Sequence, residues 1–426
     1  MLLYRFAIHI LRWGLIVAGI LGARKARKAI DGRKGWMERL AAADILVREQ
    51  GRKGQWIHVH CASLGEFEQG AEVMAALRRD APHRPMLLTF FSPSGIEGAS
   101  ALEADHVDYL PFDQAASMRR FASTVDIGDT ILIKYEVWPG MVEALCEAGT
   151  RVHLVAARFD EGRHPLNGLG FLVRRSMRKL TTLQTQDATS QKVLSQWGFP
   201  SCVTGDPRVD RVNHIRNHEP PDEVTIALEA IERWAARRRV IMVGSAWTPE
   251  WERIPSILEG HSDWCAVAAP HEVDAFVEPW SRRPGTSTLT QILGTHDGDE
   301  LGNVLIIDGI GILKYAYRLA SFAIVGGGWG KGVHNTLEPA VYGLPILFGP
   351  AISGFREIHA LIEAGAAHGC ADGHELTEQA RRWMDDEPLL TTSGNAAKRW
   401  VDSQSGAADR IAQIVLAASC GKDKGE

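Results

Sequence analysis

What most restricts the fold of this 426-residue chain is a pattern that starts at residue 56, in which short apolar runs each give way to a longer stretch of helical spacing. The runs 56-WIHVHCA-62, 86-MLLTFF-91, 107-VDYLPF-112, 130-TILIKY-135, 151-RVHLVAA-157 and 180-LTTLQTQ-186 are separated by stretches such as 66-EFEQGAEVMAALRRD-80 and 138-WPGMVEALCEAG-149. Strands that alternate with helices predict an α/β chain with parallel sheets. A second series follows 217-NHEPPDE-223, whose Pro-Pro and charge read as a linker. Its strands are 239-RVIMVGSA-246, 264-WCAVAAP-270, 304-VLIIDG-309, 322-FAIVGGG-328 and 345-PILFGP-350. The length exceeds the ~250–300 residues at which one core stops growing. Two Rossmann-like units in tandem are therefore expected, 35–216 and 217–426, facing a cleft, and no internal repeat is visible. In open parallel sheets, ligands bind beyond the carboxyl ends of the strands, so the residues that end each run are the place to look for chemistry.

The net charge of −5 argues against a nucleic-acid partner bound through broad phosphate neutralisation. Six scattered cysteines form no CxxC pair and suggest neither a disulfide framework nor a zinc site, which fits a reducing compartment. Residues 1–34 differ from the rest. An apolar stretch interrupted by Arg5, His9 and Arg12 precedes Arg24, Lys25, Arg27, Lys28, Arg33 and Lys34, opposed only by Asp31. A cleaved signal peptide carries its charge first, so this order reads as an uncleaved membrane anchor with its basic cluster against anionic lipid on the cytoplasmic side. The clean run from Trp13 to Ala23 is shorter than the ~20 residues of a spanning helix, though extension back to Met1 reaches that length, so spanning and surface attachment both stay open.

In the second half, 322-FAIVGGGWGKGVHNTLEPAVYGLPILFGP-350 leads from a strand into a glycine-rich loop and a further helix. Gly327 and Gly328 would let the backbone approach a phosphate closely, and N–H groups at a helix start would favour its charge. His334, Asn335, Thr336, Leu337 and Glu338 follow, with Glu338 one helical turn beyond His334 and suited to ribose hydroxyls. A glycine-rich turn is also common without any ligand, and this one lacks the dinucleotide fingerprint. Ser245, Pro270, His271 and the loop 308-DGIGIL-313 end three other strands on what would be the same edge.

In the first half, Glu66 and Glu136 each stand just past an apolar run. Two carboxylates at neighbouring strand ends suit acid–base work, one taking a hydroxyl proton and the other opposing developing positive charge. For Glu66, a plain helix-start acid favoured by the macrodipole reads equally well. His58 and His60 alternate onto one strand face, with no further ligands to complete a metal site, and read as core or cleft-lining histidines. Trp138, Trp247 and Trp329 fit either core or an apolar acceptor surface.

These segments, in this order, resemble the 3-deoxy-D-manno-octulosonic acid (Kdo) transferases of lipopolysaccharide synthesis, through CASLGEFEQG, YEVWPG, TGDPRVD and VHNTLEPAVYGLPILFGP. The resemblance implies a GT-B fold and metal-independent transfer of Kdo from CMP-Kdo to a lipid A precursor at the cytoplasmic face of the inner membrane. It implies Glu66 as general base, Glu136 as the acid that supports the transition state, and Arg208 as a cation for the departing phosphate. On the donor side it implies Pro270, His271, Ile310, Gly311, Ile312 and Asn335 through Glu338. Two donor loops depart from the family pattern: Ala269-Pro270-His271 replaces Pro-Arg-His, and Ile310-Gly311-Ile312 replaces Met-Gly-Glu. An arginine and a carboxylate contact are thereby removed, and Lys331 could supply compensating charge. No cofactor beyond the donor substrate is implied. Two other readings stay open: a GT-B-like sugar-nucleotide epimerase or hydrolase acting on a soluble substrate, and a non-enzymatic, membrane-bound nucleotide-sensing or scaffold protein.

Overall fold

The computed structural model describes residues 2–98, 104–160, 170–294 and 302–420. They form two units, Met1–Arg211 with Ser405–Glu426, and Val212–Gln404.

The first unit is built on a seven-stranded sheet: β1 (Trp56–Cys61), β2 (Met86–Phe90), β3 (His106–Tyr109), β4 (Ile127–Ile133), β5 (Arg151–Ala157), β6 (Thr182–Thr185) and β7 (Cys202–Val203). Its spatial order is β3-β2-β1-β4-β5-β6-β7, and the paired strands run parallel. β1, β2 and β4 are buried along their whole length, as expected of strands covered by helices on both faces. The sequence order reverses between β1 and β4, where His58 pairs with Thr130 and His60 with Leu132. That reversal is the topological switch point at which the carboxyl edge of a doubly wound sheet opens into a crevice.

The second unit repeats the plan with β8 (Arg239–Ala246), β9 (Trp264–Pro270), β10 (Thr286–Thr288), β11 (Val304–Ile306), β12 (Phe322–Val325), β13 (Ile346–Phe348) and β14 (Ala367–Gly369), in the order β10-β11-β9-β8-β12-β13-β14. Its switch point lies between β8 and β12, where Val325 pairs with Gly244. All eleven sequence-read strands are present. β7 (Cys202–Val203), β10 (Thr286–Thr288) and β14 (Ala367–Gly369) escape the sequence reading, because none lies in an apolar run such as those that mark the equally short β11 and β13.

The expected division at 216/217 and the packing of the chain differ. The first unit runs to Arg211 and regains the chain at Ser405. The last helix, Ala407–Cys420, buries Ile411, Ala412 and Val415 among Val73, Leu77 and Ile131 of the first unit. Asp210 accepts hydrogen bonds from the backbone N–H groups of Gly406 (2.6 Å) and Ala408 (2.7 Å) at the start of that helix. At its other end Ser419 donates to Asp129 on β4 (3.0 Å). Asp129 is fully buried between Arg84 (2.8 Å) and Arg151 (2.7 Å), with His153 at 3.2 Å. Burial alone would raise its pKa, but these partners hold it below the ordinary carboxylate range.

The N-terminal helix, Leu2–Ile20, rests one face on the first unit. Ile8 is buried, the Tyr4 hydroxyl donates to Asp113 Oδ2 (2.5 Å), and Gln114 lies 3.0 Å from the His9 ring. The residues from Leu3 to Ile20 are long and apolar enough to cross a membrane, by length and composition. Arg12 stands near the middle of that stretch, where a spanning helix would hold it at a cost of about 2.5–3.5 kcal/mol. One member of the expected lipid-facing basic cluster lies elsewhere. Arg33 is buried, donates to the carbonyls of Leu110, Ala29 and Phe91, and packs on the rings of Phe91, Tyr109 and Phe112. Three carbonyls and three aromatic faces offer a guanidinium more than an exposed site would. Lys28 and Lys34 are engaged with Glu97 and Asp31.

Candidate active site

Glu66 occupies the first turn of the Leu64–Asp80 helix, which starts directly after β1 with Ser63 in extended conformation as its N-cap. Its carboxylate turns back to accept from the backbone N–H groups of Ala62 and Ser63. The helix-start role is therefore real, and it fixes the carboxylate at the rim of the sheet. Burial raises its pKa, while those N–H groups and the cation of Lys134 oppose the rise.

Glu136 follows β4, the strand adjacent to β1, so the two glutamates flank the switch point. The Trp138 indole N–H donates to Glu136 Oε2 (2.7 Å), and the indole is stacked on Phe91, so the carboxylate is held from outside the strand. Burial first, and then the charge of Glu66, push Glu136 up to about 7, with the Trp138 bond opposing them. His60 Nε2 lies 3.9 Å from Glu136 Oε2. The other ring nitrogen of His60 sits within hydrogen-bond distance of the Thr89 carbonyl and hydroxyl, and burial pushes the imidazole down to about 3. His60 is thus a neutral ring beneath Glu136. His58, bonded to Thr130 and Thr89, lies fully inside the sheet, as a core histidine does. Among the described residues, no group of three or more His, Cys, Asp or Glu side chains could hold a metal ion.

Lys134 escaped the sequence reading. It sits at φ 63°, a left-handed conformation that costs a non-glycine residue of the order of 1 kcal/mol. Burial and the neighbouring Arg208 lower its pKa, while Asp206 and Glu66 raise it. The usable signal was its place at the end of an apolar run, two residues before Glu136. Arg208 opens the Pro207–Asn217 helix with its guanidinium on Asp206 Oδ2 (2.8 and 2.6 Å). One edge of the first unit therefore gathers two carboxylates of raised pKa and two cations.

The second unit places its candidate residues along the carboxyl edge in the same way. At its switch point the backbones cross at contact distance. A Cβ on Gly326 would stand 2.2 Å from the Ser245 carbonyl oxygen, and one on Gly328 would stand 2.4 Å from the backbone nitrogen of Gly349. These glycines are required by packing between loops, whether or not a phosphate ever lies there. Ser245 itself has φ 48° at the irregularity where β8 leaves its register with β9.

Glu250, also missed in the sequence, braces this crossing. It is fully buried, with Oε2 accepting from Trp247 N–H and Oε1 from Gly327 N–H, both at 3.0 Å. Its place three residues past the N-cap of its helix is that of Glu66 in the first unit, which is the pattern that could have revealed it. Trp247 then stacks on His271 (4.8 Å between ring centres), and His271 on His334 (4.1 Å). The Trp247 indole N–H donates to His334 Nε2 (3.0 Å) and so makes that nitrogen the acceptor of a neutral ring. Burial and His271 both lower the His334 pKa.

Asn335 braces the loop by accepting from Leu337 N–H (3.0 Å) and donating to Glu338 (3.1 Å). The helix that follows, Leu337–Val341, is a short turn, so the expected anion-binding helix start is reduced to this cap. Among the described residues, the buried Thr336 hydroxyl has no hydrogen-bond partner. Pro270 is buried at the end of β9, whereas Ile310 is 92% exposed beside Gly311 at φ 87°. Ile312 caps the Leu313–Ala316 turn and packs against the layer around Tyr317, apart from the Trp247–His271–His334 stack. Lys331 is exposed. Ser245, His271, Gly327 and His334 thus come together, and the 310–312 loop stands at a separate point of the same edge.

A family model described as 3-deoxy-D-manno-octulosonic-acid transferase (kdotransferase) matches residues 34–211, the part that carries Glu66, Lys134, Glu136 and Arg208. The chain is similar to the 3-deoxy-D-manno-octulosonic acid transferases of Haemophilus influenzae (24% identical over 85% of this chain and 86% of that protein) and Bordetella pertussis (25%, 83% and 85%). It is also similar to the one of Aquifex aeolicus (26%, 72% and 80%). Among solved structures it resembles the UDP-GlcNAc 2-epimerases of Neisseria meningitidis (TM-score 0.62, 12% identical, 86% of this chain and 99% of that one) and Methanocaldococcus jannaschii (0.53, 12%, 85% and 99%). At such identity these two show the shared two-unit GT-B architecture alone. The first unit thus matches a 3-deoxy-D-manno-octulosonic-acid transferase family model, and across both units the chain is similar in sequence to the 3-deoxy-D-manno-octulosonic acid transferases.

Proposed function

We propose that this protein is an inverting glycosyltransferase that moves Kdo from CMP-Kdo to a hydroxyl of a lipid A precursor in lipopolysaccharide synthesis, with Glu66 as the base. The observation that carries the reading is the placement of Glu66 and Glu136 at adjacent strand ends, on either side of the first unit's switch point. An acceptor hydroxyl attacks the ketosidic carbon from the face opposite the nucleotide. Its proton passes to Glu66, and the bond to CMP breaks with its electron pair leaving on the phosphate. Burial makes Glu66 a stronger base than a free glutamate, while Lys134 and the two N–H groups keep it ionised for the task. Glu136, still partly ionised near neutral pH, opposes the positive charge that develops on the sugar ring. Arg208 and Lys134 are the cations available to the departing phosphate. In the second unit the Gly327–Gly328 crossing, the Trp247–His271–His334 stack and the Asn335–Glu338 turn would receive the nucleotide.

The proposal includes work at the cytoplasmic face of the inner membrane, with neither a metal ion nor a further cofactor. It is tested by incubating the chain with CMP-Kdo and a lipid A precursor and weighing the products. Glu66→Gln is expected to lower transfer by ~10²–10⁴-fold with CMP-Kdo binding retained. Full activity of that variant would remove Glu66 from the role of base. Release of CMP at an equal rate without the lipid would favour a hydrolase.

A further inference from the structure

We propose that the Leu2–Ile20 helix lies flat in the surface of an anionic phospholipid bilayer while it remains docked on the first unit, and does not cross the bilayer. This deepens the membrane side of the function proposed above. The docked face is fixed by Ile8, only 5% exposed, and by Tyr4, whose hydroxyl donates to Asp113. Asp113 in turn is 4% exposed and accepts from Gly140 N–H (2.8 Å), so the tie reaches into the folded unit. Opposite that face, Leu3, Phe6, Ile10, Trp13, Val17 and Ile20 are all 50–79% exposed. Their spacing alternates three and four, so they form one stripe along the whole helix. Arg5, His9 and Arg12, spaced four and three, line one shoulder of the stripe, and Arg24, Lys25 and Arg27 lie exposed on the helix that follows.

An apolar stripe with a cationic shoulder is the pattern of a helix that lies at the headgroup boundary of a membrane carrying negative lipid. The charge also selects the occupant. A second copy seated stripe on stripe would offer the arginine shoulder no counter-charge, since the Leu2–Ile20 helix carries no acidic residue, whereas anionic headgroups neutralise it. A spanning arrangement would carry Arg12 to the middle of the hydrocarbon and strip Asp113 of its Tyr4 partner. Lying flat keeps Arg12 in the headgroups and the Tyr4 bond intact.

The test uses the full chain and vesicles of phosphatidylethanolamine with phosphatidylglycerol. The fluorescence difference between the chain and its Trp13→Phe variant isolates Trp13. It is expected to be quenched more strongly by lipids brominated near the headgroup end of the acyl chain than by lipids brominated near the methyl end. Phe6→Glu with Ile10→Glu is expected to weaken vesicle binding at least tenfold, and Arg5→Gln with Arg12→Gln to weaken it severalfold and flatten its salt dependence. These side chains face solvent, so unchanged thermal unfolding of the variants confirms that they fold. Stronger quenching from deep bromines would show a spanning helix and overturn the proposal. Vesicle binding unaffected by the glutamates, or a lipid-free dimer that the glutamates dissolve, would overturn it as well. Depth is read without turnover, so a failed transfer assay leaves this test standing, and a deep Trp13 leaves the transferase reading standing.

Discussion

Replacing Glu136 by Gln should make the first unit more stable and the enzyme worse. The structure raises this carboxyl from the ordinary 4.5 to about 7, so the folded state holds a proton that the unfolded chain gives up more readily. The sign of the linkage follows. Between those two values the folded protein binds more protons than the unfolded one, so stability falls as pH rises and stays low above about 7. At ~1.4 kcal/mol for each tenfold change in proton affinity, and with some discount because the side chain is 15% exposed, the ionised group costs about 2–3 kcal/mol at pH 8. Gln is nearly isosteric, keeps an oxygen for the Trp138 N–H and carries no charge. Calorimetric unfolding at pH 8 should therefore show the first unit's transition raised by roughly 5–10 °C. At pH 4.5 the two proteins should nearly coincide, because Glu136 is then protonated. Activity should fall at both pH values. Equal stability at pH 8, or a gain of the same size at pH 4.5, would refute the claim that an ionised Glu136 is held at a cost. It would also remove the reason for treating this strand end as a site where stability was traded for chemistry.

Lys134→Met removes a cation that lowers the Glu66 pKa, so the acid limb of the kcat/KM profile should move to higher pH, whereas a limb that stayed in place would separate Lys134 from the base. Glu250→Ala leaves a buried Gly327 N–H and a part-buried Trp247 N–H unpaired; the second unit should lose ~1–3 kcal/mol in denaturant unfolding, and CMP binding measured by calorimetry should weaken. Asp129→Asn removes the charged partner of buried Arg84 and half-buried Arg151 and should destabilise the first unit by about 3–5 kcal/mol at neutral pH. Because the pKa of Asp129 is depressed, its contribution is present above the ordinary aspartate range and is lost as pH falls. The penalty for the Asn variant, followed by urea titration, should therefore shrink in acid.

The alternation of strand and helix was legible because a parallel sheet covered on both faces needs unbroken apolar strands, and eleven of the fourteen left that mark. Glu66 and Glu136 were legible because each follows such a run. Lys134 and Glu250 were not, since a charged residue near a strand end looks the same in sequence whether it faces water or a buried partner. Burial decides that, and burial is set by loops that cross from elsewhere, such as Gly326 against Ser245. Arg33 misled for the same reason. It belongs to a run of basic residues by sequence, yet three carbonyls and three rings, most of them from segments 58 or more residues away, take it inside. The last helix left no sign of its destination, because an apolar stripe says that a helix packs and not where.

That helix also fixes an order of events during synthesis. The second unit, Val212–Gln404, is an insertion in the first, whose closing helix leaves the ribosome roughly 190 residues after Arg211. At ~5–20 residues per second, the first unit waits about 10–40 s without the side chains that complete its core. During that time Asp129 lacks Ser419, Asp210 lacks its two N–H donors, and the apolar surface around Val73 and Leu77 lies open. All strands of the second unit lie before Ser405, so it can finish first. A chain that stops before Ser405 would carry a complete second unit attached to a first unit that cannot close.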